Sequence, residues 1–317
     1  MNKFEFGRKD ILAFAHEKNY SLNNVEKVIR LSLLLDDLNS LPEFKGKFVL
    51  KGGTAINLVV FDLPRLSVDI DLDFAKNSAK DEMLREREEI NRALEYYFEK
   101  TGYAFSRRSS YSLDAHTLSY RTTSDSGDKI KLDINYYNRC HIYTPLFSSI
   151  SFPFGARNEN LSVLHLQIAE LFAGKIKALY ERAKPRDIYD VYRLAKSNLI
   201  GSAEDINNLR ICLAFYSVLS NTSRLLDKDI TAIRRMPISA VKTQLLPMLP
   251  NGIFYPKAEI DDVVIEFLQT LKLKPEEKLF IDKFYEGEYL PELLFDKPTA
   301  DKLAGHPVAI RIQEQLK

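Results

Sequence analysis

The strongest pattern in this chain is Lys51-Gly52-Gly53-Thr54, followed by Arg65-Leu66-Ser67-Val68-Asp69-Ile70-Asp71-Leu72-Asp73-Phe74. From Val68 to Phe74, apolar and acidic side chains alternate, which is the period of a strand with one buried face. The three aspartates then share the other face, where like charges about 7 Å apart repel one another. A divalent cation carrying a phosphate-bearing ligand would offset that repulsion. The alternative interpretation is an exposed antiparallel strand with a solvated acidic face.

The two glycines favour the phosphate interpretation. Residues 47–50 predict a short buried strand and residues 55–61 predict the start of a helix, so Gly52 and Gly53 mark a strand-to-helix turn. Glycine lets the backbone approach a phosphate closely, and the amides at a helix N-terminus favour an anion. Neither the glycine turn nor the Asp-x-Asp pair is specific alone, but together with Ser67 they predict a nucleotide-phosphate site.

These residues also carry a family resemblance. The string Gly-Gly-Thr-Ala from Gly52, with Arg-x-Ser-x-Asp-Ile-Asp-Leu from Arg65, resembles nucleotidyltransferases of the AbiEii type. Those proteins are toxins of abortive-infection, or type IV, toxin–antitoxin systems and belong to the polymerase-β-like superfamily. The resemblance implies an α+β fold in which residues 1–200 form the nucleotidyltransferase domain, with a mixed sheet flanked by helices. Beyond residue 201, recurring helical patterns predict an α-helical bundle domain in residues 201–317.

A third carboxylate is predicted on a neighbouring strand. Strand patterns cover residues 103–108, 116–123 and 129–137. In the last of these, apolar residues alternate with polar ones, so Asp133 lies on a polar face. A nucleotidyl-transfer centre needs a further carboxylate to complete two-cation coordination, and Asp133 is the best-placed candidate. The alternative is a surface aspartate paired with Lys131.

A basic helical segment carries the second part of the resemblance. Seven basic and three acidic residues lie between positions 174 and 196, an excess of +4 in a chain of net charge +1. The string Ala173-Gly174-Lys175-Ile176-Lys177-Ala178-Leu179, then Arg182 and Arg186-Asp187-Ile188-Tyr189-Asp190, resembles the second AbiEii signature. The resemblance implies that Lys175, rather than Lys177, contacts nucleotide phosphates and that Asp190 supports the site. Asp187 and Asp190 have an alternative role in helix capping and in ion pairs with Arg186 and Arg193, which we favour for Asp187.

The remaining segments predict helices. These cover residues 9–18, 21–38, 81–100, 166–180 and 186–196, then 206–219, 238–246, 263–271 and 278–285. A loop with Pro145, Pro153 and Gly155 is expected to lead into an all-helical remainder. Residues 1–19 have no uninterrupted apolar run, which argues against a signal peptide, and no stretch reaches membrane-spanning length. With only Cys140 and Cys212, we expect a cytoplasmic protein with no membrane partner.

The resemblance, which covers about residues 51–196, implies a Mg²⁺-dependent enzyme, with Mn²⁺ as the alternative cation. It would transfer NMP from a nucleoside triphosphate to RNA, at the 3′ end of tRNA, and a cognate antitoxin would counter it. The expected catalytic residues are Asp69, Asp71, Asp133, Lys175 and Asp190, with Asp69, Asp71 and Asp133 as metal ligands. The expected nucleotide-binding residues are Gly52, Gly53, Thr54, Arg65, Ser67, Lys175 and Arg182. The alternatives are modification of a small-molecule or protein hydroxyl, and a nucleotide- or RNA-binding protein without catalysis.

Overall fold

The acidic strand lies in the interior of a mixed sheet. The computed structural model describes residues 7–150, 161–220 and 224–316. In these ranges the strands are β1 (Phe48–Lys51), β2 (Asp69–Phe74), β3 (Ala104–Ser109), β4 (Leu113–Arg121), β5 (Gly127–Asn135), β6 (Leu146–Ile150) and β7 (Leu161–His165). They follow the order β3-β4-β5-β2-β1-β7-β6, in which β2 runs antiparallel to β1 and parallel to β5. The predicted α+β class is therefore confirmed, and β2 is not an exposed edge strand.

The other regular elements of the described chain are helices. They are α1 (Arg8–Glu17), α2 (Leu22–Ser40), α3 (Gly52–Thr54), α4 (Lys80–Thr101), α5 (Ile168–Arg182), α6 (Pro185–Ala195), α7 (Ala203–Val218), α8 (Ile238–Gln244), α9 (Lys257–Thr270), α10 (Pro275–Tyr285), α11 (Lys297–Ala304) and α12 (Pro307–Leu316). A π-helical segment, Ala55–Val60, continues α3, and short 3₁₀ turns cover Leu225–Asp227, Ile230–Arg235, Leu246–Met248 and Pro291–Leu293. Gly102 ends α4 in the left-handed conformation that glycine adopts without strain.

Helices α2 and α4 cover the apolar face of the sheet. From α4, the Phe98 ring packs 5.7 Å from the His116 ring of β4. From α2, Arg30 lies 4.3 Å from the centre of the Tyr120 ring, also on β4. The apolar residues that alternate along β2 and β5 are buried, among them Ile70 and Leu132. Because side chains alternate between the faces of a strand, the aspartates of β2 point to the opposite face.

The chain forms two compact units. The first takes in the described residues of Met1–Arg139, Pro145–Leu166 and Pro247–Gly252, and it contains the whole sheet. The second takes in those of Cys140–Thr144, Gln167–Leu246 and Ile253–Lys317, and its described regular elements are helical. No helix in the described ranges is long and apolar enough to cross a membrane.

Two expectations about the second half are corrected. The loop predicted around Pro145 and the helical remainder expected after it give way to two strands, because β6 and β7 pair with each other and β7 pairs parallel with β1 at Leu50 and His165. Neither strand has a strong alternating pattern, and the partner strand β1 is more than a hundred residues away, so the local sequence gives little signal. Helices α11 and α12 were also not predicted. Pro153 and Gly155 lie outside the described residues.

Candidate active site

The glycine turn lies against one of the acidic side chains. Strand β1 ends at Lys51, and Gly52 begins α3 with a φ of +69°, in the left-handed region. A Cβ atom at Gly52 would lie only 2.5 Å from Asp71 Oδ2. Conformation and space therefore both require glycine at this position. The predicted strand-to-helix turn is confirmed, and it faces the carboxylate of Asp71.

The second glycine faces the loop before β2. A Cβ atom at Gly53 would lie 2.9 Å from Arg65 Nη2 and 3.1 Å from Ser67 Oγ. The buried Thr54 hydroxyl donates to the carbonyl of Asp69 and lies 3.0 Å from Ser67 Oγ. These contacts join the turn to the start of β2. The nucleotide-binding roles of these residues stay predictions. The hydroxyl of Thr54 also holds the turn against the start of β2 through its hydrogen bond to Asp69.

The π-helical segment after the turn is a feature that the sequence did not reveal. Within it, buried Asn57 donates from Nδ2 to the carbonyl of Gly53 at 2.9 Å. The chain then leaves the helix through Asp62 and Leu63, which have φ values of +49° and +60°. Such conformations are unfavourable for residues with a side chain and are found mainly where the surrounding structure holds them for function. The one signal for this segment in the sequence is Asn57, because an asparagine four residues after Gly53 has a side chain that is able to cap the turn.

The predicted carboxylates converge on one face of the sheet. In the parallel pairing of β2 with β5, Asp71 is opposite Asp133 and Asp69 is opposite Lys131. The side chains of all three aspartates are only partly accessible. Burial raises the pKa of Asp133 above its ordinary value, and the negative charges of Asp71 and then Asp69 raise it further. The structure therefore brings together the three carboxylates that the sequence predicted, and their charges repel.

This carboxylate group suits a hard divalent cation. Within the described ranges, no three His, Cys, Asp or Glu side chains form a preassembled metal centre. Magnesium, however, is commonly bound through one or two carboxylates, with waters and substrate phosphates completing its shell. Carboxylate oxygens are its preferred ligands, and a cation here would offset the negative charges that Asp71 and Asp69 place beside Asp133. The residues therefore fit Mg²⁺ bound together with a phosphate-bearing substrate.

The third aspartate of β2 has a different environment. Asp73 is fully buried, and its Oδ1 atom lies 2.5 Å from Lys51 Nζ. Asn138 Nδ2 lies 3.5 Å from its other carboxylate oxygen. Asp73 is thus held by an ion pair and buried, whereas Asp69 and Asp71 are partly exposed. The sequence placed Lys51 in the turn but did not predict this pair.

In the second unit, the predicted lysine is the centre of a buried ion-pair cluster. Lys175 Nζ on α5 lies 2.9 Å from Asp187 Oδ1 and 3.1 Å from Asp190 Oδ2, both on α6. Arg182 Nε donates to Asp187 Oδ2 at 2.8 Å from a half-exposed position. Lys177, the rejected alternative, pairs instead with Glu181 at 2.6 Å. Asp187 therefore forms ion pairs with residues of the preceding helix. The sequence had predicted Arg186 and Arg193 as its partners and did not indicate these pairs.

The charge state of this cluster follows from its partners. Burial disfavours the charged form of Asp187, but the ammonium of Lys175 and the guanidinium of Arg182 outweigh burial and lower the pKa of Asp187 to about 2. Lys175 is only 7% exposed and already faces two carboxylates. Its proposed contact with nucleotide phosphates stays a prediction, as does the supporting role of Asp190.

Two comparisons with known proteins give matches for this chain. Residues 33–272 match the family described as nucleotidyl transferase AbiEii toxin, type IV TA system. Among solved structures, the chain is similar to MenT4, a nucleotidyltransferase toxin from Mycobacterium tuberculosis H37Rv, with a TM-score of 0.58 and 15% identity over 95% of this chain and 99% of that chain. A comparison with curated proteins gives no match. Since the family match spans most of the sequence, the chain belongs to the AbiEii nucleotidyltransferase toxin family of type IV toxin–antitoxin systems.

Proposed function

We propose that this protein transfers a nucleoside monophosphate from a nucleoside triphosphate to RNA, at the 3′ end of tRNA. The toxin would act in the cytoplasm, with Mg²⁺ or alternatively Mn²⁺, and a cognate antitoxin would counter it. The observation that carries the proposal is the pairing of Asp71 with Asp133 across β2 and β5, directly beside the turn at Gly52. Carboxylates next to a glycine turn suit a ligand that combines a divalent cation with phosphates.

The proposed reaction is in-line attack of a ribose hydroxyl on the α-phosphorus, with pyrophosphate as the leaving group. Asp69, Asp71 and Asp133 would hold divalent cations, which, when bound, would offset the charge on the triphosphate and lower the pKa of the attacking hydroxyl. In this proposal the backbone at Gly52 and Gly53 binds triphosphate oxygens, because the missing side chains leave room for close approach.

Further residues are proposed to bind the nucleotide. Thr54, Arg65 and Ser67 line the turn and would bind or position the phosphates through hydroxyl and guanidinium groups. Lys175 and Arg182 would offset negative charge on the nucleotide, and Asp190 would orient Lys175. We accordingly propose residues 1–200 as the catalytic segment, which includes the sheet together with α5 and α6, and residues 201–317 as the helical domain.

The test is incubation of the purified protein with total tRNA, Mg²⁺ and each α-³²P-labelled nucleoside triphosphate in turn. We expect label in tRNA with the parent protein and none with Asp71→Asn, which removes a charge without changing side-chain size. Unfolding curves of the two proteins check that the variant is folded. Label in tRNA with both proteins would overturn the assignment of Asp71. Release of pyrophosphate without label in tRNA would instead indicate a small-molecule or protein acceptor.

A further inference from the structure

The polar face that carries the carboxylates continues outward across three strands. Residues opposite one another in neighbouring strands lie on the same face of a sheet. From Asp71, the register leads to Asp133 on β5, then to Ala115 on β4 and Arg108 on β3. Because strands lie about 4.8 Å apart, Arg108 is attached about 10 Å from Asp133 along this row. Arg108 therefore shares its face with the carboxylates.

A second row runs parallel to the first. Asp69 on β2 is opposite Lys131 on β5, which is followed by Thr117 on β4 and Ser106 on β3. Two residues before Lys131, Lys129 points to the same face at a spacing of about 7 Å along the strand. Lys131 thus places a positive charge directly beside Asp69, and Lys129 places a second one further along the same face of β5.

This surface is exposed and has few negative charges. Arg108, Lys129 and Lys131 are all exposed, whereas α4 packs on the opposite face through Phe98. The outward positions of β3, β4 and β5 carry the cations Arg108, Arg121, Lys129 and Lys131 and one carboxylate, Asp133. Of these cations, Arg121 is offset by Asp125 at 2.8 Å. An excess of positive charge on one face of a chain of net charge +1 is an electrostatic footprint for a polyanion.

The side chains between the cations are short. They include Ser106 and Ser119, both exposed, and Thr117, which is partly exposed. Hydroxyl groups donate hydrogen bonds to phosphate oxygens, and short side chains allow a nucleic-acid strand to lie close to the sheet. Contacts of this kind fix position without reading bases.

We infer that this outer-strand face, defined by Arg108, Lys129 and Lys131 with the hydroxyls between them, binds the phosphate backbone of the acceptor RNA. The inference rests on the proposed function and assigns the acceptor strand to β3, β4 and β5. The RNA would run across this face with its 3′ end toward Asp69 and Asp71. Binding should therefore depend strongly on salt and little on base sequence.

The test measures RNA binding without any triphosphate. A 5′-labelled tRNA transcript is titrated with the parent and with Arg108→Gln/Lys129→Gln, between about 50 and 200 mM salt. For two lost single-strand phosphate contacts, we expect the slope of log Kd against log salt to fall by about 1.4, with Kd about tenfold higher at the lowest salt. The matched control is Arg85→Gln/Arg92→Gln, which removes two exposed cations from α4 on the opposite side of the sheet.

The outcomes separate this inference from the proposed function. A lower salt slope in the first variant, with the control equal to the parent, supports the inference even if the parent transfers no nucleotide. An unchanged slope, an equal loss in the control, or a parent that does not bind tRNA overturns it. In an active parent, the variant should raise the KM for tRNA and leave the KM for the triphosphate unchanged.

Discussion

Lys51 Nζ lies 2.5 Å from Asp73 Oδ1, and this ion pair joins the last residue of β1 to the antiparallel strand β2, two residues from Asp71. The carboxylate of Asp73 is fully buried, and Lys51 remains about one quarter exposed. A buried carboxylate without a partner is costly, and here Asp71 lies two residues away on the same face. The pair thus compensates one of the three negative charges on β2.

Replacing Lys51 with Met should therefore destabilise the fold. The change leaves the buried charge of Asp73 without its ion pair to Lys51, so we expect the free energy of unfolding to fall by about 3 kcal/mol. Urea unfolding at neutral pH measures the change. The double variant Lys51→Met/Asp73→Asn, which removes both charges, should recover most of the loss. Additive losses from the two single substitutions would contradict the proposed coupling.

Gly52→Ala should reduce nucleotidyl transfer by about 100-fold, because the new methyl group displaces the carboxylate of Asp71. The control is Gly46→Ala: Gly46 has a similar φ of +74°, but in the part of the chain that the structure describes, a Cβ atom there would have no neighbour within 4 Å. Both variants share the strain of a left-handed alanine, about 1 kcal/mol, which unfolding curves will show. Equal activities of the two variants would refute the importance of the contact with Asp71.

Asp187 should stabilise the fold at neutral pH and lose this contribution in strong acid. Its pKa in the folded protein is about 2, below the ordinary 3.8, so its contribution is present above pH 3.8 and is lost as the pH falls toward 2. Asp187→Asn should lower the free energy of unfolding at neutral pH by an amount on the order of 2 kcal/mol. In urea unfolding, the difference from the parent should shrink as the solution is acidified. A difference that does not vary with pH would rule out this assignment.

His116 should make the fold sensitive to mild acid. Its ring is buried beneath Phe98, and burial lowers its pKa from 6.5 to about 4. Between these values the unfolded chain binds a proton that the folded chain does not, so stability falls as the pH is lowered from 6.5 to 4. The expected loss is about 3 kcal/mol.

The variant His116→Phe tests this prediction. Neither ring nitrogen of His116 has a hydrogen-bond partner among the described residues, so an apolar ring of similar size should fit without leaving a polar group unsatisfied. Unfolding should be followed at several pH values between 6.5 and about 4, the ordinary pKa of histidine and the pKa of His116 in the folded protein. The variant should lose less stability than the parent over this range. The same loss in both proteins would show that other groups cause the acid sensitivity.

The local sequence was sufficient to predict the central strands of the sheet and most of the helices. The alternation along β2 identified its buried face, and the same period in β5 placed Asp133 on the polar face. Gly52 and Gly53 marked the turn because a strand and a helix meet there. These features follow from side-chain periodicity and backbone preference, which act over a few residues.

Tertiary structure decided which of these side chains meet. The parallel register of β2 and β5 set Asp71 opposite Asp133 and Asp69 opposite Lys131. Packing of α5 against α6 placed Lys175 between Asp187 and Asp190. Strand β7 found its partner β1 far away in the sequence. Register and burial depend on contacts between distant segments, so a charge such as that of Asp73 acquires its partner only when the chain has folded.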